Sequence, residues 1–195
     1  MNKRQFLTSA LVGAVAAPSF THANTTAKSA GPTLLTVTGA IARANRGALD
    51  PALDQMMHKQ KIHFDKGYTF DFTALLALTP RSIRPTLEYD NQTHQLSGPS
   101  LEHVIQTTGA PLSEATRLLL RAVDGYAVTI NFADAHKYGF IVATHLDGRP
   151  MPLGGLGPLW AVYDADRFAE MRAKPVNARF ALCPWALYHI EVLVA

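Results

Sequence analysis

The segment 147–164, DGRPMPLGGLGPLWAVYD, constrains this chain more than any other, because a loop dense in Gly and Pro opens directly into an apolar run. Leu159-Trp160-Ala161-Val162-Tyr163 follows Gly157-Pro158 at once and is built of strand-forming residues, so the order is loop, then strand. Nucleotide phosphate loops have a different order: they follow a strand and open a helix whose N-terminus meets the phosphate. The glycines at 154, 155 and 157 also miss the G-x-G-x-x-G spacing, and no Gly-Lys-Ser/Thr occurs. This argues against a phosphate loop. The segment reads instead as backbone that lies close against a flat ligand at Gly155, with Trp160 and Tyr163 lining a pocket.

Strand signals dominate the rest of the chain. LLTVTGAI at 34–41, YTFDF at 68–72, the run 83–89, 118–123, 127–132, 141–145, 159–163 and 187–194 all read as extended. Asp124-Gly125 between two apolar runs is a hairpin signal, and Asp147-Gly148 closes another strand. Helices are short. The spacing predicts one within 52–61, one over 73–78 capped by Asp71 or Thr73 and stopped at Pro80, and one over 101–108 capped by Ser97 or Ser100 and ended by Gly109. A turn or helix is expected at 133–138 and a helical piece near 167–172. No regular strand–helix–strand alternation appears, which points to an α+β domain with a mostly antiparallel, mixed sheet and short helices.

The N-terminus has the layout of an export signal. Lys3 and Arg4 precede the apolar stretch 6–17, and Thr21-His22-Ala23 resembles a cleavage site. The stretch is too short for a spanning helix of roughly 20 apolar residues. Residues 1–23 are therefore expected to be a signal peptide, 24–33 a flexible lead-in and 34–195 the working domain, in the periplasm. Lys3-Arg4-Gln5-Phe6-Leu7 also resembles the twin-arginine pattern with Lys in the first place, so the Sec and twin-arginine routes both stay open. No transmembrane helix is expected in the mature protein.

Charge and cysteine content narrow the function. The formal net charge of +3 includes Lys3 and Arg4, so the mature chain is nearly neutral and no nucleic-acid partner is implied. Cys183 is the only cysteine, so no internal disulfide forms and no cysteine-based zinc site exists. His58 and His63 are five apart and no H-E-x-x-H occurs, which argues against a metal held by side chains. A Ser-based hydrolase finds no G-x-S-x-G elbow.

Four segments in order, LLTVTGAI at 34–41, LSGPSLEHVIQTTGA at 96–110, LLLRAVDGYAVTINFADA at 118–135 and IVATHLDGRP…GPLWAVYD at 141–164, resemble the molybdopterin-binding domain of the sulfite oxidase type, in its small exported branch. WALYHIEV at 185–192 is similar to that family's closing strand. The resemblance implies an α+β fold holding a tricyclic pterin that carries a dithiolene and a phosphate. In the catalytic members a cysteine binds molybdenum from the segment matching Thr86-Leu87-Glu88-Tyr89-Asp90-Asn91, and here that segment has none. Molybdenum chemistry is therefore doubtful, since thiolate ligation anchors that soft, high-valent centre.

A pterin ring is planar with an amide-like edge, so its site needs aromatic faces and a few acceptors and donors. Trp160, Tyr126, Tyr89, Tyr163 and Trp185 are the candidate faces, and each also suits ordinary core packing. Asp124 is a candidate for the amino edge, although an Asp-Gly turn explains it equally. Arg149 beside the Gly-rich loop, and Arg81 with Arg84, are the candidate anion contacts, and His145 is a candidate titrating group. The leading expectation is an exported, non-catalytic protein that binds a small-molecule pterin and has a membrane signalling protein as partner. The alternatives are a molybdopterin-dependent oxidoreductase with altered metal ligation, and an interaction domain that has lost the pocket.

Overall fold

The computed structural model describes residues 31–194. The export signal and most of the lead-in read from the sequence lie outside the described residues.

β1 (Leu35–Gly39) is the expected first strand. A loop carries the chain through α1 (Gln55–Lys59) to β2 (Tyr68–Phe70). Asp71, not Thr73, caps α2 (Phe72–Leu76), accepting from Ala74 N at 2.7 Å. The next strand lies upstream of its expected place: β3 is Pro80–Ile83, whereas 84–89 form a bridge and a turn. The reason is pairing, since Pro80 to Ile83 lie opposite Pro99 to Leu96 of β4 (Leu96–Pro99), and beyond Ile83 the chain has no strand partner. Ser97 is thus a strand residue, and Ser100 caps α3 (Leu101–Thr107) by accepting from His103 N at 3.1 Å.

β5 (Arg117–Ala122) and β6 (Ala127–Asn131) form the hairpin signalled by Asp124-Gly125. α4 (Phe132–Tyr138) follows, then β7 (Ile141–Ala143), β8 (His145–Leu146) and β9 (Arg149–Pro150). The β8–β9 turn has positive φ at both Asp147 (48°) and Gly148 (76°), the geometry of a two-residue hairpin turn whose twist matches its strands. β10 (Trp160–Val162), α5 (Ala169–Arg172) and β11 (Leu187–Leu193) complete the elements, with short 3₁₀ turns at 165–167 and 176–178.

The architecture is mixed, with mostly antiparallel sheet and few short helices. The five-stranded sheet has the order β2-β1-β11-β5-β6, and β1–β11 is its one parallel pair. β3-β4-β8-β9 and β10-β7 form the smaller sheets. One face of the large sheet sets Leu35, Val37, Leu118, Leu120, Ile190 and Val192 into the main core. Its other face buries a polar row. Arg121 donates to His189 Nδ1 at 3.1 Å and to Glu191 Oε2 at 2.9 Å, so His189 Nε2–H donates to Thr38 Oγ1 at 3.0 Å. Arg121, His189, Glu191 and Thr38 satisfy one another there, while the neighbouring Thr36 Oγ1, opposite His189, is buried without a hydrogen-bond partner among the described residues.

Candidate functional site

Three segments distant in sequence meet at one cleft. The turn at Glu88-Tyr89 forms one wall, the tip of the β5–β6 hairpin with Asp124 and Tyr126 another, and the stretch from Asn177 through Phe180, Cys183 and Trp185 the floor and third side. The cleft encloses about 260 Å³. Tyr89, Tyr126 and Trp185 are 55%, 47% and 38% exposed, unusual for large aromatics and three of them together.

The local chemistry sets these side chains. Asp124 Oδ1 accepts from Tyr126 N at 2.8 Å, the Asx contact that shapes the hairpin tip. Tyr126 then donates its hydroxyl to the Ala181 carbonyl at 2.5 Å, tying the hairpin to the 177–185 stretch. Burial, with the Glu88 carboxylate adding to it, pushes the Tyr89 phenol up to about 12. Tyr89 is therefore a neutral donor at physiological pH. The buried Cys183 thiol is also pushed up, first by burial and then by Glu88, and stays protonated.

The structure brings together Tyr89, Asp124, Tyr126 and Trp185 of the residues proposed from sequence, and separates the rest. Trp160, 1% exposed, is in the core, with its indole N–H donating to the Cys183 carbonyl at 2.9 Å. Tyr163 is buried as well, stacked on Phe140 at 4.9 Å and donating to the Arg179 carbonyl at 2.6 Å. Both rings pack against Phe180, which lines the cleft, so they stand one layer behind it and face no ligand there. The physical reason is that β10 pairs with β7 in the interior and carries Trp160, and Tyr163 directly after the strand, into the core, where large aromatics bury most apolar area.

Arg149 and Gly155 line a different, wider depression with Leu146, Met151 and Leu156. Arg81 lines a third beside Glu102 and His103. The Gly-rich loop packs on itself: a Cβ on Gly157 would stand 2.3 Å from the Met151 carbonyl oxygen, so glycine there serves chain packing. Glu88, Asn177 and Phe180 line the cleft without having been singled out from sequence. Glu88 had a usable signal, as the neighbour of Tyr89 in the segment where the resemblance expects a ligand. Asn177 and Phe180 had none.

Among the described residues no group of three or more His, Cys, Asp and Glu side chains is arranged to hold a metal ion. No helix among them is long and apolar enough to cross a membrane.

The fold and cleft define a mixed, mostly antiparallel α/β protein with an acidic, aromatic-walled depression at the tip of its β5–β6 hairpin. No family model matches the chain, and no curated protein matches it in sequence. Among solved structures, its fold is similar to that of the sulfane dehydrogenase SoxCD from Paracoccus pantotrophus, at a TM-score of 0.51 and 10% identity. That likeness covers 81% of this chain and 37% of the other, so this chain spans little more than a third of its length. The relationship is a distant one of fold.

Proposed function

We propose that this chain is an exported pterin-binding protein on a sulfite oxidase-type fold, non-catalytic, whose ligand occupancy is read by a membrane signalling protein. The observation that carries the reading is the convergence of Tyr89, Tyr126 and Trp185 with Glu88 and Asp124 in one cleft. Aromatic faces suit a flat bicyclic ring, and two carboxylates suit its edge of N–H donors through charge-assisted hydrogen bonds. The fold likeness to a sulfane dehydrogenase supports the oxidoreductase-type scaffold, and the Asp124-Gly125-Tyr126 hairpin lies within a segment that carries the family resemblance.

Molybdopterin adds a phosphate and a metal-binding dithiolene to such a ring. The lining offers two carboxylates and no Lys, Arg or His, so a phosphate would meet like charge without a counter-ion. Cys183, the one thiol at the cleft, is buried and protonated. These residues fit the ring and do not fit the charged remainder. One observation favours the second reading, an oxidoreductase with altered ligation: Cys183 lines the same cleft as Glu88-Tyr89, the segment where the family has its metal ligand.

Purification from the native exported fraction, followed by denaturation and measurement of released pterin fluorescence and molybdenum in one sample, tests both. Pterin without metal is the expected result. Molybdopterin with matching molybdenum supports the second reading, and absence of both overturns the two together.

A further inference from the structure

Between α2 and the β3-β4-β8-β9 sheet lies a cavity of about 230 Å³ that shares no lining residue with the aromatic cleft. Leu75 and Leu76 of α2, with Leu78, form its apolar wall, and Pro80, Ser97, Pro99 and His145 form the sheet side. The register explains the placement. Pro80 pairs with Pro99 and Ser97 with His145, and residues two apart on β4 share a face, so these four side chains stand together.

His145 is oriented there by its neighbours. Its ring meets Phe72 at 5.7 Å, and its Nδ1 is 2.8 Å from Thr144 Oγ1. The buried Thr144 hydroxyl has one hydrogen, shared between His145 Nδ1 and the Ser97 carbonyl at 3.2 Å, which also accepts from Thr144 N at 2.9 Å. With that hydrogen on the Ser97 carbonyl, Thr144 Oγ1 accepts from His145 Nδ1–H, the tautomer on which the proposal below rests, and Nε2 of that tautomer is a lone-pair acceptor with no partner among the described residues. The Ser97 hydroxyl stands across the strand pair as a second polar group.

We propose that this cavity is a second small-molecule site, for a compact and mostly apolar molecule bearing one hydroxyl, of which a phenol is the simplest form. The hydroxyl donates to His145 Nε2 and accepts from Ser97 Oγ, while the ring fills the space between Pro80, Pro99, Leu75 and Leu78. A single-ring molecule suits a cavity just below the usual size of ligand pockets. The site stands independently of the pterin reading.

The test is NMR titration of the full chain, labelled at histidine nitrogen and leucine methyls, with phenol and with toluene. Phenol is expected to bind saturably and about tenfold tighter than toluene, moving the His145 Nε2 resonance and the methyls of Leu75 and Leu78. His145→Phe keeps a ring against Phe72 and is expected to erase that preference. If that variant does not fold, Ser97→Ala is expected to weaken phenol severalfold with toluene unchanged. Equal affinity for the two probes, unsaturable shifts, or an unprotonated Nδ1 in the free chain overturns the proposal.

Discussion

Trp160 and Cys183 are joined by the indole N–H, which donates to the Cys183 carbonyl from the core side of the cleft floor. A residue without solvent contact thus fixes the backbone under a surface site. Its effect on ligand binding runs through position alone.

Trp160→Phe leaves the Cys183 carbonyl unpaired and a void where the indole stood. The expected loss of stability is about 2 kcal/mol, from the orphaned acceptor and the lost contacts together. Urea unfolding measures it. A change below a few tenths would mean that the floor holds without this bond.

Tyr126→Phe keeps the ring and removes the tie to the Ala181 carbonyl. Stability should fall by about 1 kcal/mol. Pterin affinity should weaken severalfold, because the hairpin tip and the 177–185 stretch no longer hold a fixed separation. Tyr126→Ala, which also removes the face, should weaken it further, by fluorescence titration.

His189 is pushed down to about 3, chiefly by burial and then by the Arg121 guanidinium. Its ring stays neutral in the fold while the unfolded chain takes up a proton below roughly 6.5. Between those two values the unfolded state binds more protons, so stability rises with pH and falls on acidification, with a limiting slope of about 1.4 kcal/mol per pH unit from this group. Denaturant unfolding at pH 7, 5 and 4 should show that loss. His189→Gln should flatten it.

His94 behaves oppositely. Its Nδ1–H donates to Asp147 at 2.7 Å and its Nε2–H to Asp90 at 2.8 Å, and these contacts raise its pKa, the Asp147 bond first. The cation bridges the 88–92 turn and the β8–β9 hairpin. That stabilisation is complete below the unfolded value near 6.5 and is lost as pH rises through the higher folded value. Amide exchange in the 88–92 turn should therefore quicken, relative to the rest of the fold, on going from pH 6 to pH 8. His94→Gln should remove this pH dependence, and an His94 titration at or below 6.5 would refute it.

What was legible in the sequence was local chemistry. Asp124-Gly125, Asp147-Gly148 and the Ser100 cap depend on a few neighbouring residues, and each turn or cap formed where its residues indicated. The strand at 80–83 was displaced because its partner, β4, decides where pairing ends. Trp160 and Tyr163 look from sequence like Tyr126 and Trp185, and only tertiary contacts, the pairing of β10 with β7 for Trp160 and the packing on Phe140 for Tyr163, send the first two inward. The cleft joins residues from the eighties, the 120s and the 180s, a juxtaposition that no single segment encodes.

Thr38 and His189 touch across 151 positions of sequence, because β11 sits between β1 and β5. The keystone of the large sheet is thus the latest of its five strands to be synthesised. Until it arrives, β1–β2 and β5–β6 are separate ribbons, each with an open edge, and neither can close the shared core. Ordering must wait on closing a very long loop, so this topology assembles slowly and its ribbons stay open to chaperones or to wrong edges in the interval.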